Sequence, residues 1–222
     1  MYIHDWNIYN FREEEIEKMN YNDTQFKDLQ SVCAEKYGNE KGLCIYSKAE
    51  DIFQKMQDEA DYRNSDIIKW HMAENIFPVM AYYMALLEYE FSTDDAYANT
   101  LEEMQKHAML AKEKNKVFAK IPFAYFLFKL GCRKVMGKYY PNEGWETDWV
   151  RYDKEEIHFN LKKCVYFEVT SQYGHPELCA AFCANDTTRF SGYLPNIKFE
   201  RSGTVATGME YCDFHFKNGK YL

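Results

Sequence analysis

Between Pro176 and Phe190, the residues Cys179, Cys183, Asp186 and Phe190 follow one another at steps of four, three and four. That spacing places side chains on one face of an α-helix. A carboxylate on a face of thiols and a phenyl ring must be paired, raised in pKa, or set at the edge of a cleft. As a functional pair, Cys183 and Asp186 would stand at such a cleft. As a structural pair, Cys183 is a small buried hydrophobe and Asp186 a helix-end carboxylate bonded to backbone. The spacing fits both.

The stretch Cys212-Asp213-Phe214-His215-Phe216 alternates as a strand does. Cys212 falls with the two phenylalanines, and Asp213 falls with His215. Asp213 and His215 form either an acid–base couple or the solvated face of an edge strand. Strict alternation keeps Cys212 and Asp213 from lining one pocket together. Arg201 shares its alternation face with Phe199, and a guanidinium in apolar company needs a carboxylate. That partner is either a ligand or a structural mate such as Asp186 or Glu200. His175 belongs to the turn before Pro176, while His4, His71, His107 and His158 lack partner spacing and read as structural. Gly174, Gly203 and Gly208 are isolated and form no phosphate loop. No serine sits in a nucleophile elbow. Cys179 and Cys183 lack the spacing of a zinc knuckle, so neither a metal nor another cofactor is called for.

The elements that must position these residues fall into two textures. Residues 1–140 read as a mainly helical scaffold. Thr93–Lys114 opens on a cap signal and puts Tyr97, Leu101, Met104, Ala108 and Ala111 on one face. Phe77–Glu90 tolerates Pro78 in its first turn. Ile121–Lys138 is apolar on most sides, as a helix buried in mid-domain would be. Across 141–222 the period becomes two, with a strand around Trp145–Arg151 and a long strand carrying Ile157, Phe159, Leu161, Val165, Phe167 and Val169 on one side. Lys163 is the exception on that side. The helix Pro176–Phe190 follows, then strands at Ile197–Thr204 and Tyr211–Lys217. The expectation is α+β: an N-terminal helical layer on a C-terminal antiparallel sheet with one inserted helix. The 222 residues suit one domain.

Composition excludes several function classes. Hydrophobic residues make up 46% and aromatics 18%, which is far from the disorder regime. A net charge of −8 without a basic run argues against nucleic acid. The first twenty residues lack a secretory signal pattern, and Ile76–Leu87 is too short to span a bilayer. Seven cysteines without an export signal read as reduced thiols in a cytoplasmic protein.

Taken in order, Asn160-x-x-x-Cys164, Pro176-Glu177-Leu178, Phe182-Cys183-x-x-Asp186, Phe199-x-Arg201-x-x-Thr204 and Gly208-x-x-x-Cys212-Asp213-Phe214-x-Phe216 make one string. It resembles the L-2-amino-thiazoline-4-carboxylic acid hydrolase family, strongly over about 143–217 and weakly from about 65 through Pro78-x-x-Ala81-x-Tyr83-x-x-Leu86-Leu87. Ser202 stands where the family usually has Thr, and Met209-Glu210-Tyr211 replaces a more polar turn. The resemblance implies hydrolytic opening of a small cyclic amidine or thiazoline acid to an N-carbamoyl cysteine. The partner is then a small molecule bearing a carboxylate. Cys183 or Cys212 would attack ring carbon C2 or orient water, and Asp186 would activate water or hold the amidinium. Asp213 would tune the acid–base balance. Arg201 would clamp the carboxylate, with Asn160, Cys164 and Thr204 completing the binding set. A rival is a non-catalytic small-molecule-binding module, because the tail faintly resembles 4-vinyl reductase-type domains. A third reading is a subunit whose aromatics serve assembly, which leaves a homo-oligomer open.

Overall fold

The computed structural model describes residues 18–222; His4 and the amino-terminal stretch inspected for a signal lie outside the described residues. Helices α1 (Leu29–Tyr37), α2 (Asn39–Glu59) and α3 (Asp66–Trp70) come first. A π-helical stretch, His71–Ile76, then leads into α4 (Phe77–Glu88). Pro78 falls in the first turn of α4, where its missing N–H costs nothing, and most of the helix is buried. Helix α5 runs Thr93–Ala119, one turn beyond the expected end, with Ser92 Oγ accepting from the Asp95 amide at 3.1 Å. Among the described residues no helix is long and apolar enough to cross a membrane.

Helix α6 (Ala124–Tyr139) corrects one expectation. It is not enclosed: Phe126 and Leu130 are 55% and 64% exposed. Only Ala124, Tyr125, Cys132 and Met136 turn inward. Their spacing, with Phe128 packed alongside, makes a single four-step stripe, so one face alone meets the core.

Strands β1 (Trp145–Tyr152) and β2 (Glu156–Cys164) form a hairpin. Helices α7 (Val165–Gln172) and α8 (Cys179–Phe190) follow, then β3 (Ile197–Glu200) and β4 (Cys212–Asn218). The sheet is antiparallel in the order β1-β2-β4-β3. The α+β expectation holds, with two helices inserted between the hairpin and β3. The second helix arises because the long strand ends at Cys164. Beyond the Lys163 break, Val165 and Val169 are buried one helical turn apart, and the Thr170 hydroxyl donates to Tyr166 O at 2.9 Å. An apolar period of two and a spacing of four overlap over so short a run.

The helix-facing side of the sheet carries Ile157, Phe159 and Leu161 from β2 and Cys212 and Phe216 from β4, all buried. Phe190 of α8 meets Phe199 at 4.9 Å and Phe216 at 5.1 Å, while Phe128 of α6 meets Phe216 at 4.9 Å. This aromatic seam fixes α8 over β3 and β4. The opposite face carries Asn160, His158, Asp213 and His215, with Asn160 opposite Asp213 and His158 opposite His215 in register.

Candidate active site

Helix α8 supplies Cys179, Cys183, Asp186 and Arg189 at steps of four, three and three. Its face is aimed at the chain that leaves β3. That chain leaves the ladder after Glu200 because Asp213 captures it. Asp213 Oδ2 accepts from the Ser202 amide and hydroxyl, both at 2.8 Å, and Oδ1 accepts from the Gly203 amide at 2.9 Å. Amides engaged by a carboxylate cannot extend a strand, so the expected strand to Thr204 stops four residues early. A turn at Val205–Thr207 closes through Gly208, whose φ of 84° is left-handed and suits glycine. The turn brings the Val205 amide onto Cys212 Sγ at 3.2 Å.

Arg201 stands at the centre of this loop. Its Nη2 donates to Asp186 Oδ2 at 3.0 Å, Nη1 to Cys183 O at 3.4 Å and Nε to Asp213 O at 3.3 Å. The guanidinium lies 4.0 Å from the centre of the Phe214 ring. Its side chain is 8% exposed, against 27% for Asp186. Burial pushes the Asp186 carboxyl above the ordinary aspartate range, while the charges of Arg201 and Arg189 work against that rise. Asp186 therefore takes up a proton at milder pH than a solvated carboxylate.

Four thiols converge beneath this ion pair. Cys179 lies between Cys164 and Cys183, and Cys183 lies between Cys179 and Cys212. Acting as donors, the Cys179 and then the Cys212 thiol draw Cys183 well below the usual thiol range; burial opposes this, and Arg201 and the Thr204 hydroxyl reinforce it. Cys179 is pushed up by the same contacts with Cys164 and Cys183, and Cys212 by its contact with Cys183 and by burial. Cys164, the residue that caps α7, is lowered chiefly by Cys179, with help from the Phe167 and Tyr166 amides against burial. The contacts thus raise Cys179 and Cys212 and lower Cys164 and Cys183. Among the described residues no group of three His, Cys, Asp or Glu is arranged to hold a metal ion.

Cys164, Cys183, Cys212, Thr204, Asp186 and Arg201 therefore meet, from β2, α8, the loop after β3, and β4. Asn160 and Asp213 do not join them through their side chains. Both project from the other face, where Asn160 Oδ1 lies 3.2 Å from His158 Nε2. Asp213 is 3.3 Å from His215 Nε2, and His215 also reaches Glu156 at 2.7 Å while stacking on His158 at 3.8 Å. Burial works to raise the Asp213 carboxyl, but the bonds from Ser202 and Gly203 outweigh it and hold it below the usual value. Asp213 braces the loop that carries Arg201.

Two hollows, of about 350 and 610 Å³, open around Pro195 and the start of α6. Neither is lined by a residue of the thiol cluster.

The family model described as L-2-amino-thiazoline-4-carboxylic acid hydrolase matches residues 71–216. The chain belongs to this family. No curated protein and no solved structure matches it. The family region begins at His71, which spacing marked as structural. His71 is 2% exposed, and burial lowers its pKa to about 4. Its Nε2 lies 2.8 Å from Tyr139 O and its Nδ1 2.9 Å from Tyr166 Oη. A carbonyl only accepts, so Nε2 carries the proton, and the Tyr166 hydroxyl donates to Nδ1. His71 thus holds Tyr166 against the hydrolase-family site without ionising.

Two more residues lie beside the signature string without belonging to it. Cys179 was visible on the shared helical face, but nothing in one sequence separates a proton-holding thiol from a packed one. Arg189 continues that face one step beyond Asp186, and its Nε is buried without a hydrogen-bond partner. Leaving such a donor unsatisfied costs about 1–3 kcal/mol.

Proposed function

We propose that this member of the family hydrolyses a small cyclic amidine of the thiazoline type that bears a carboxylate, with Cys183 as the nucleophile. The observation that carries the proposal is the setting of Cys183. Two thiol donors flank it, and Arg201 stands between its helix turn and Asp186. A lone Asp186 three residues away would raise the thiol pKa; the Cys179 and Cys212 donors, reinforced by the guanidinium, reverse that balance.

The substrate carbon C2 is bonded to the ring sulfur, the ring nitrogen and an amino group. The Cys183 thiolate adds to C2 of the protonated amidine. The bond from C2 to the ring sulfur then breaks, and the departing thiolate takes a proton from Cys212. This leaves an isothiouronium joined to Cys183 through sulfur. Asp186 takes a proton from water as its oxygen adds to the same carbon. Collapse expels the Cys183 thiolate and releases the N-carbamoyl product, and the two protons from water restore Cys212 and pass to solvent through Asp186. Arg201 keeps Asp186 and the Cys183 turn in register throughout, and Thr204 supports the thiolate.

Turnover of a panel of thiazolines, cyclic amidines and carbamoyl amino acids, followed by mass spectrometry, tests this reading. Cys183→Ser should lose about 10³-fold or more, as removal of a nucleophile does elsewhere. Full activity in that variant would remove the covalent route. Panel members that bind without turnover would favour the rival reading of a binding module.

A further inference from the structure

The carboxylate of such a substrate needs a cation, and Arg201 is already committed at all three nitrogens. Nη2 holds Asp186, Nη1 holds Cys183 O, and Nε holds Asp213 O. A ligand carboxylate could reach that guanidinium only by displacing Asp186, the group proposed to activate water.

Arg189 is differently placed. Its Nε is buried with no hydrogen-bond partner, and among the described residues its side chain enters no ion pair within 4 Å. It follows Asp186 by three positions on α8 and so shares its face. Side chains on an α-helix lean toward the amino-terminal end, so Arg189 leans back toward Asp186. The rise from Cys183 to Arg189 is about 9 Å, a distance the long arginine stem shortens. One wall is the Phe190 ring, 5.3 Å from the guanidinium carbon. Tyr140 and Tyr166 lie close enough for the charge of Arg189 to act on them. Tyr166 is oriented by His71 at 2.9 Å, and Tyr140 packs on Trp145 at 5.0 Å. A cation beside aromatic rings, with an orphaned donor one helical step from Asp186, is arranged as an anion receptor.

We infer that Arg189, a residue outside the signature string, receives the carboxylate of the substrate, while Arg201 positions Asp186. This assignment of the carboxylate receptor rests on the hydrolase reading above. It makes Arg189 the source of preference for acids over neutral amidines.

The probe that separates the two claims is L-thiazolidine-4-carboxylate, which keeps the ring and carboxylate but has no amidine carbon to hydrolyse. Its binding to the full chain is measured by calorimetry for the parent protein, Arg189→Gln and Arg189→Lys. Turnover of 2-amino-thiazoline-4-carboxylate is compared with that of 2-amino-2-thiazoline, which lacks the acid. Arg189→Gln should weaken probe binding about 10- to 100-fold. Its kcat/KM for the acid should fall by a similar factor, and that for the neutral amidine by much less, since Arg189 also acts on Asp186. Arg189→Lys keeps the charge and loses the fork, so it should lie between; it decides the matter if the Gln variant melts early. Arginine-dependent binding of the probe without turnover of either thiazoline would sink the hydrolase reading and leave the receptor standing. Parent-like binding in both variants, an equal loss on both substrates, or no binding of the probe to the parent protein would overturn the assignment.

Discussion

Arg201 Nη2 meets Asp186 Oδ2 at 3.0 Å, tying the loop after β3 to the middle of α8. The pair joins two segments that no local rule brings together. Breaking a buried ion pair costs about 3–5 kcal/mol, and the partial exposure of Asp186 argues for the lower end. Arg201→Met should lower unfolding free energy by about 3 kcal/mol in urea melts. It should also abolish turnover, whereas Asp186→Asn, which keeps the shape, should lose turnover with a smaller loss of stability. Equal stability in Arg201→Met and the parent protein would show that the pair holds nothing in place.

The Cys179 thiol is the largest influence lowering Cys183. Cys179→Ala should therefore move the alkylation of Cys183 by iodoacetamide to higher pH, read peptide by peptide in the mass spectrometer. In the parent protein Cys183 should react well below the ordinary thiol midpoint of about 8.5. An unchanged profile after the substitution would rule out the thiol relay.

Asp213 holds two amides and one hydroxyl of residues 202–203. Asp213→Asn keeps the size and loses the charge, and should cost about 1–3 kcal/mol. The carboxyl is depressed in the folded state, so its contribution is complete above the unfolded value of about 3.9 and fades as pH falls through the lower folded value. The difference between parent and variant should therefore be full at pH 7 and shrink in strong acid. A constant difference in melts taken across that range would contradict the assignment.

His71 has the opposite proton preference. Its folded pKa of about 4 lies below the unfolded 6.5, because burial excludes the charged ring. Between those values the unfolded chain binds a proton that the folded chain refuses, so stability rises with pH by about 1.4 kcal/mol per unit. Above 6.5 the contribution is level. His71→Gln should flatten the stability profile between pH 4 and 6.5, whatever it does to absolute stability. A parent-like slope in the variant would assign that proton uptake elsewhere.

Much of this was legible along the chain. The step pattern Cys179, Cys183, Asp186 and Phe190 gave the active helix, because helical faces depend only on spacing. The alternation through Cys212 and Asp213 put them on opposite faces of β4, as the register with Leu161 and Asn160 bears out. The ordered signature named the family. Less legible were the ends of elements. The apolar run after Cys164 fits both periods, and burial of Val165 and Val169 chose the helix. The strand expected to reach Thr204 stops at Glu200 because the Asp213 carboxylate takes the Ser202 and Gly203 amides.

Sequence alone determined which residue types were present and which of them share an element face, since backbone geometry maps spacing onto direction. Tertiary structure decided who faces whom. It paired Arg201 with Asp186, set Cys212 beside Cys183 as a donor, and left Arg189 with a buried donor unmet. Proton affinity and charge pairing depend on distances between segments far apart in the chain, and those distances exist only once the sheet and α8 have closed on each other.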